Sequence, residues 1–217
     1  MTKKDYLFGI SAGFLIGLLA MPVLQTAKPS LYHRFAWAIF PFFLIATPVG
    51  LIVARWIGNK ISVVWQIAKF GVIGVLNTLV DWGVLTALIL IFRSMRGIDS
   101  AATAVTMGTL AITWYTVYKS ISFIIAVVNS YYWNKYWTFA TGVATKTKSE
   151  FIQFFLVSVV GFFINVGVSS YIFKTVHPIG GMSSDQWGLA GAAIGSALGL
   201  AWNFVGYKFI VFKQENQ

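Results

Sequence analysis

"KFGVIGVLNTLVDWGVL", residues 69–85, is an apolar stretch that carries one acidic residue, Asp81, in its interior. The surrounding apolar run, 68–92, is longer than the roughly 20 residues that a helix needs to cross a hydrocarbon core. Asp81 lies about 18 Å of helix beyond Lys69. This places it near the middle of a membrane, where inserting an aspartate costs about 2.5–3.5 kcal/mol. We therefore expect Asp81 to face the interior of a helix bundle.

The composition indicates a membrane protein throughout. Of the 217 residues, 58% are hydrophobic, 17% are aromatic and only 10% are charged, which is too little polar surface for a water-soluble globule. The sequence predicts an all-α integral membrane protein with six transmembrane helices, near 6–24, 35–54, 68–92, 120–139, 151–173 and 189–212. The first segment is longer than a signal-peptide core and lacks a convincing cleavage site, so we interpret it as an uncleaved helix.

The basic residues predict orientation and partners. With the N-terminus inside, ten Lys and Arg residues face the cytoplasm and six face outward, which favours a multi-pass protein of the cell (inner or plasma) membrane with both termini cytoplasmic. The net charge of +10 fits contact with anionic membrane lipids. The charges are scattered along membrane edges, so no nucleic-acid partner is expected. The chain has no cysteine and only two histidines, both in predicted loops, so we predict neither a metal nor any other cofactor.

An internal repeat relates the last four predicted helices. The stretch 69–85 aligns without gaps with "QFFLVSVVGFFINVGVS" (153–169), which places Asn165 against Asp81. Both stretches have a polar side chain halfway along. Each would form the first helix of a duplicated hairpin.

The second helix of each predicted hairpin repeats as well. "SYYWNKYWTF" (130–139) aligns with "NFVGYKFIVF" (203–212), and Lys135 falls on Lys208. Both hairpins would enter from the same side, so the repeat is predicted to be parallel, with the two lysines around one pseudo-twofold axis. That arrangement predicts a shared cationic pocket.

The domain organisation follows from changes in composition. We predict an N-terminal two-helix membrane module (1–60), a four-helix membrane domain (61–213) with an insertion at 93–119, and a cytoplasmic tail (214–217). The uncharged middle of the insertion, 101–118, is expected to form an interfacial or a re-entrant helix, and the sequence does not choose between them. Glycine recurs every four residues at 9–17 and again at 191–199. This spacing predicts close helix packing rather than ligand binding.

Taken in order, the four repeat stretches resemble the four helices of the GtrA-like family of small membrane proteins, over residues 65–213. The resemblance implies translocation of polyprenyl-phosphate-linked monosaccharides for cell-surface polysaccharide modification. Related helices anchor some polyprenyl-phosphate sugar synthases. This chain departs from the family pattern in its two additional N-terminal helices, in the insertion, and in having Tyr207 where the first repeat has Asn134.

A lipid of this kind needs a cation for its phosphodiester, hydrogen-bond donors for its sugar and an apolar groove for its tail. Lys135 and Lys208 are the predicted phosphate-binding cations, with Asn134, Ser130 and Asn203 as donors to phosphate or sugar oxygens. The alternatives are that the lysines only extend to the headgroups and that the polar groups bond between helices.

A second set of polar residues is predicted to contact the sugar or to couple transport to protons: Asp81, Asn77, Asn129, Asn165 and Trp133. The alternative for Asp81 is a packing hydrogen bond to Asn165 or Asn77. For Trp133 the alternative is an interfacial or packing role.

No enzymatic activity is predicted. The sequence has no Asp-x-Asp pair and no phosphate-binding glycine loop. The favoured function is flipping of a polyprenyl-phosphate-linked sugar. Two alternatives stay open: a non-transporting partner that recruits or anchors a polyprenyl-phosphate glycosyltransferase, and a small proton-coupled exporter. A homo-oligomer is compatible with each.

Overall fold

The computed structural model describes residues 1–27, 29–100, 102–108, 110–139, 147–181 and 184–212. The chain is mostly helical in these ranges and divides into two compact units, Met1–Ala140 and Thr141–Gln217. The predicted tail at 214–217 lies outside the described residues.

Within the described ranges, six long helices carry the apolar segments. The first unit contains α1 (Lys3–Ala27), α2 (Pro29–Gly58), α3 (Ser62–Arg96) and α4 (Trp114–Trp133), and the second contains α5 (Thr147–Thr175) and α6 (Ser184–Gly206). A five-residue π-helical segment follows α4 at Asn134–Thr138 and α6 at Tyr207–Val211. We call these the first and second π turns.

Four helical segments in the described ranges are long and apolar enough to cross a membrane: Lys3–Gln25, Pro29–Gly58, Val63–Arg96 and Ser149–Val168. A shorter apolar stretch covers Ala197–Val211. α4 does not meet the same criterion, since it carries Lys119, Asn129 and several tyrosines. The chain is therefore a multi-pass helical membrane protein, and the count of six spans stays a prediction.

The N-terminal glycines make a close helix crossing, as predicted. A Cβ added to Gly13 would lie 2.7 Å from the Phe43 carbonyl oxygen, and one added to Gly17 would lie 3.0 Å from that of Phe40. Side chains at these positions would push α1 away from α2, so the glycine spacing serves helix packing.

The expected helix in the insertion is wrong, because the segment forms an antiparallel hairpin of β1 (Thr103–Met107) and β2 (Leu110–Thr113). β-Branched threonine, valine and isoleucine favour strands, and Gly108 has the positive φ of 62° that a tight turn uses. Before this hairpin, α3 ends at Arg96 and is capped by Gly97. Gly97 has a φ of 63°, and its backbone N–H donates a hydrogen bond to the Arg93 carbonyl.

The core of the first unit joins its N-terminal helices to α3 and the first π turn. Ala12, Leu51, Trp65, Ile73 and Trp137 form one buried cluster. The predicted two-helix module thus belongs to the same compact unit as α3 and α4. Many large apolar side chains elsewhere on these helices are exposed, as contact with lipid tails requires.

Candidate functional site

The two π turns occur at the positions that the repeat aligns. The Phe139 amide donates to the Asn134 carbonyl at 3.0 Å, and the Phe212 amide donates to the Tyr207 carbonyl at 2.8 Å. Both bonds span five residues rather than four. Single π turns inside helices are frequent at functional sites because they re-aim nearby side chains.

Each π turn carries one of the predicted lysines beside an aromatic ring. Lys135 is only 3% exposed, and its ammonium donates to the Tyr131 hydroxyl at 3.1 Å and lies 5.4 Å from the Tyr131 ring centroid. Lys208 is half-buried and lies 5.9 Å from the Phe204 ring centroid. Tyr131 and Phe204 are aligned positions, so the cation–ring geometry repeats. The pocket shared by both lysines stays a prediction, since one lies in each unit.

The predicted donors beside the lysines form mainly local contacts. The Asn134 side-chain amide donates to the Ser130 carbonyl at 2.8 Å and to its hydroxyl at 3.2 Å. The Asn134 Oδ1 is buried and has no hydrogen-bond partner in the described part of the chain, and the same is true of Asn203 Oδ1. Asn203 packs directly against Gly161, where an added Cβ would collide with it.

Two groups of polar side chains lie between α3 and α4. Asp81 accepts hydrogen bonds from Lys119, with which it forms an ion pair, and from the Ser122 hydroxyl at 2.7 Å. One turn earlier on α3, Asn77 Oδ1 lies 3.5 Å from the Asn129 side-chain nitrogen. We call these five residues the polar row. For Asp81, the alternative role of a packing hydrogen bond had Asn165 or Asn77 as its partner. The structure instead pairs the carboxylate with Lys119 and Ser122, and Asn77 with Asn129.

The remaining predicted residues, Trp133 and Asn165, contact packed surfaces. Trp133 meets Phe8 edge-to-face, with ring centroids 5.3 Å apart, and lies 5.9 Å from the Trp137 ring. In the second unit, a Cβ added to Gly199 would lie 3.2 Å from the Asn165 Cβ. In these contacts both residues support helix packing.

Of the five polar-row positions, only that of Asp81 aligns with a polar residue of the second unit, Asn165. With the same alignment, Asn77 falls on Gly161 and Asn129 falls on Trp202; extended toward the start of α6, it places Lys119 on Ala192 and Ser122 on Gly195. α5 and α6 instead approach closely, since a Cβ on Gly199 would lie 2.8 Å from the Gly161 carbonyl oxygen. The Trp202 indole donates to the Val157 carbonyl at 3.1 Å.

A cavity of ≈ 540 Å³ lies within the first unit, next to the first π turn. It is lined by the start of α1, the end of α2, the start of α3 and the π turn. Its residues are Met1, Thr2, Lys4, Asp5, Arg55, Trp65, Lys69, Tyr136 and Trp137. The buried Lys69 ammonium donates to the Trp137 carbonyl at 2.8 Å, one of the carbonyls that a helix end leaves without a partner.

Sequence reasoning did not select the residues of this cavity as a site. One available signal was the spacing of Thr2 and Asp5, three residues apart before an apolar run, which is typical of a helix N-cap. The structure contains that cap: the Thr2 amide donates to Asp5 Oδ2 at 2.8 Å, and the Asp5 amide donates to the Thr2 hydroxyl at 3.2 Å. Arg55 and Lys69 reach the cavity because α2 and α3 pack beside the start of α1. No local sequence pattern could therefore reveal that they lie together.

The apolar helices and the buried polar groups define a polytopic helical membrane protein. Comparison with known families identifies it further. The GtrA/DPMS transmembrane domain matches residues 69–212, about two thirds of the chain, and the protein therefore belongs to that family. The match begins within α3, so α1 and α2 precede it. No curated protein matches the chain, and no solved structure does.

Proposed function

We propose that this protein flips a polyprenyl-phosphate-linked monosaccharide between membrane leaflets, for modification of a cell-surface polysaccharide. Membership of the GtrA/DPMS family suggests a lipid-linked sugar flippase. The observation that carries the proposal is the polar row between α3 and α4. A sugar headgroup that crosses the hydrocarbon core loses its hydration, and polar side chains inside the membrane replace those contacts.

The two lysines at the π turns are the proposed phosphate ligands, with Asn134, Ser130 and Asn203 as neighbouring donors. A phosphodiester at Lys135 would compete with the Tyr131 hydroxyl, which is a weaker acceptor for an ammonium than an anion is. The re-aiming that a π turn permits would provide this exchange of partners.

The decisive experiment is reconstitution of the purified protein in vesicles that contain no glycosyltransferase. A labelled polyprenyl-phosphate sugar placed in one leaflet should reach the other faster than in protein-free vesicles. Equal rates would contradict flipping and favour a membrane partner that recruits or anchors a glycosyltransferase. Movement that stops when a pH gradient is removed would support proton coupling.

We propose that both termini lie in the cytoplasm. Topology reporters fused after Lys4 and after Gln217 should then read as cytoplasmic, and a reporter at Gly97, after α3, should read as external. A cytoplasmic signal at Gly97 would overturn this orientation, and with it the direction in which the polar row is entered.

A further inference from the structure

The cavity of the first unit brings together cations from three helices. Lys4 of α1, Arg55 of α2 and Lys69 of α3 all line it. Its volume of ≈ 540 Å³ is within the range of small-molecule pockets, about 300–1,000 Å³. A phosphate with an attached monosaccharide would fit such a space.

The cavity lining carries more positive than negative charge. Asp5 is the one acidic side chain among the lining residues. Its oxygens are already engaged by Thr2, by the Trp137 indole nitrogen at 3.3 Å, and by Lys69 at 4.0 Å. One carboxylate therefore faces three cations, and the lining attracts an anion.

Aromatic rings form most of the remaining wall, which also includes Met1 and Thr2. The Trp65 ring centroid lies 5.1 Å from the Lys69 ammonium and 5.8 Å from the Arg55 guanidinium, so Trp65 holds both cations near the cavity. Tyr136 and Trp137 add further aromatic surface. Cations beside aromatic surface suit a phosphate ester that carries a sugar or an apolar chain.

Most of this lining lies outside the family domain. Six of the lining residues come before residue 69, where the GtrA/DPMS match begins: Met1, Thr2, Lys4, Asp5, Arg55 and Trp65. Only Lys69, Tyr136 and Trp137 belong to the matched region. The cavity therefore exists because α1 and α2 pack against α3 and the first π turn.

We propose that the N-terminal helices complete a binding site for the phosphate ester headgroup of a membrane lipid, with Arg55 and Lys4 as ligands and Lys69 as a buried supporting charge. This inference rests on the proposed function for its preferred lipid, the polyprenyl-phosphate sugar. The cavity would receive the headgroup next to Lys135, before it enters the polar row. An ordinary anionic phospholipid has the same phosphate chemistry, so the experiment must separate the two sources.

The test is binding of a fluorescent short-chain polyprenyl phosphate to the purified full-length protein, with the neutral polyprenol as a second ligand. Arg55→Gln should weaken phosphate-lipid binding about tenfold, which corresponds to about 1.4 kcal/mol, and should leave polyprenol binding unchanged. Arg55→Lys should keep most of the affinity, because the charge remains. Lys60→Gln is the matched control, since Lys60 is exposed and does not line the cavity; its effect should stay within about twofold by the weak energetics of surface charges.

Competition identifies the source of the phosphate. Displacement of the probe by a polyprenyl-phosphate sugar but not by phosphatidylglycerol supports the preferred lipid, and displacement by both supports a general anionic-lipid site. Equal losses for Arg55→Gln and Lys60→Gln would overturn the inference. If Arg55→Gln does not fold, Lys4→Gln is the substitute, because the Lys4 side chain is exposed.

The inference and the proposed function can fail separately. Flipping by the wild-type protein together with unchanged binding in Arg55→Gln would remove the cavity site alone. Arg55-dependent binding without any flipping would remove the proposed function alone.

Discussion

The first helix pair (α3 and α4) and the second helix pair (α5 and α6) are each followed by a π turn, in which a lysine lies near an aromatic ring. The two pairs differ in what lies between their helices. α3 and α4 are separated by the polar row, in which Asp81 pairs with Lys119. α5 and α6 meet at Gly161 and Gly199, where a side chain on Gly199 would strike the facing backbone. The aligned helix pairs thus form a polar helix contact in one unit and a close glycine contact in the other.

The difference indicates a division of roles. Polar groups inside a membrane are costly and are commonly functional, whereas small residues permit helices to associate tightly. We infer that the space between α3 and α4 contacts the sugar during transport. The contact between α5 and α6 is mainly a packed support for the second π turn and its proposed phosphate ligand, Lys208.

The largest stability effect is expected from removing half of the ion pair. Breaking a fully buried pair costs about 3–5 kcal/mol; the Lys119 side chain is 38% exposed, so we expect Asp81→Ala to cost about 2 kcal/mol after this discount. Adding Lys119→Ala should recover most of the loss, because no lone charge remains. Thermal unfolding of both variants measures this. A double variant that is no more stable than Asp81→Ala would show that the pair is not coupled.

The glycine contact should be sensitive to bulk in the second pair. Gly199→Leu would force α5 and α6 apart, at a cost of about 1–3 kcal/mol for overpacking. Gly167→Leu on α5 makes the same change where nothing lies within 4 Å of an added Cβ, so it should be neutral or slightly stabilising. Unfolding temperatures of the two variants provide the comparison. Equal losses would mean that the effect does not arise at the helix contact.

A smaller loss of stability is expected from changing Tyr207, which stands where the first repeat has Asn134. The Tyr207 hydroxyl lies 2.7 Å from the Ser158 hydroxyl, and its ring stacks on Phe154 at 4.1 Å. Tyr207→Phe keeps the stacking and removes the hydrogen bond, so it should cost about 1 kcal/mol. Tyr171→Phe, at an exposed side chain of α5, is the control and should change the unfolding temperature little. A Tyr207→Phe protein as stable as the wild type would indicate that this bond adds no net stability.

The sequence predicted the helices well because their signal is local. Apolar length located α1 to α6. The alignment of Lys135 with Lys208 marked two equivalent segments, but no sequence signal predicted the π turn that each one forms. The partners of Asp81 were missed because Lys119 was assigned to an outer loop, while α4 begins at Trp114 and includes it. The β-hairpin was missed because an uncharged segment in a membrane protein favoured a helix over the strand preference of its threonines and valine.

We propose that the polar row carries the sugar headgroup across the membrane. The flipping rate of the charge-neutral variant Asp81→Ala/Lys119→Ala in vesicles tests this directly. This variant removes both charges without leaving one unpaired, and comparing vesicles with equal amounts of folded protein separates a loss of rate from a loss of folding. We predict at least a tenfold slower movement of a labelled polyprenyl-phosphate sugar, equivalent to about 1.4 kcal/mol of barrier, with Asn165→Ala, at the aligned position of the second pair, remaining near the wild-type rate. A wild-type rate in the double variant, at equal protein per vesicle, would contradict the account.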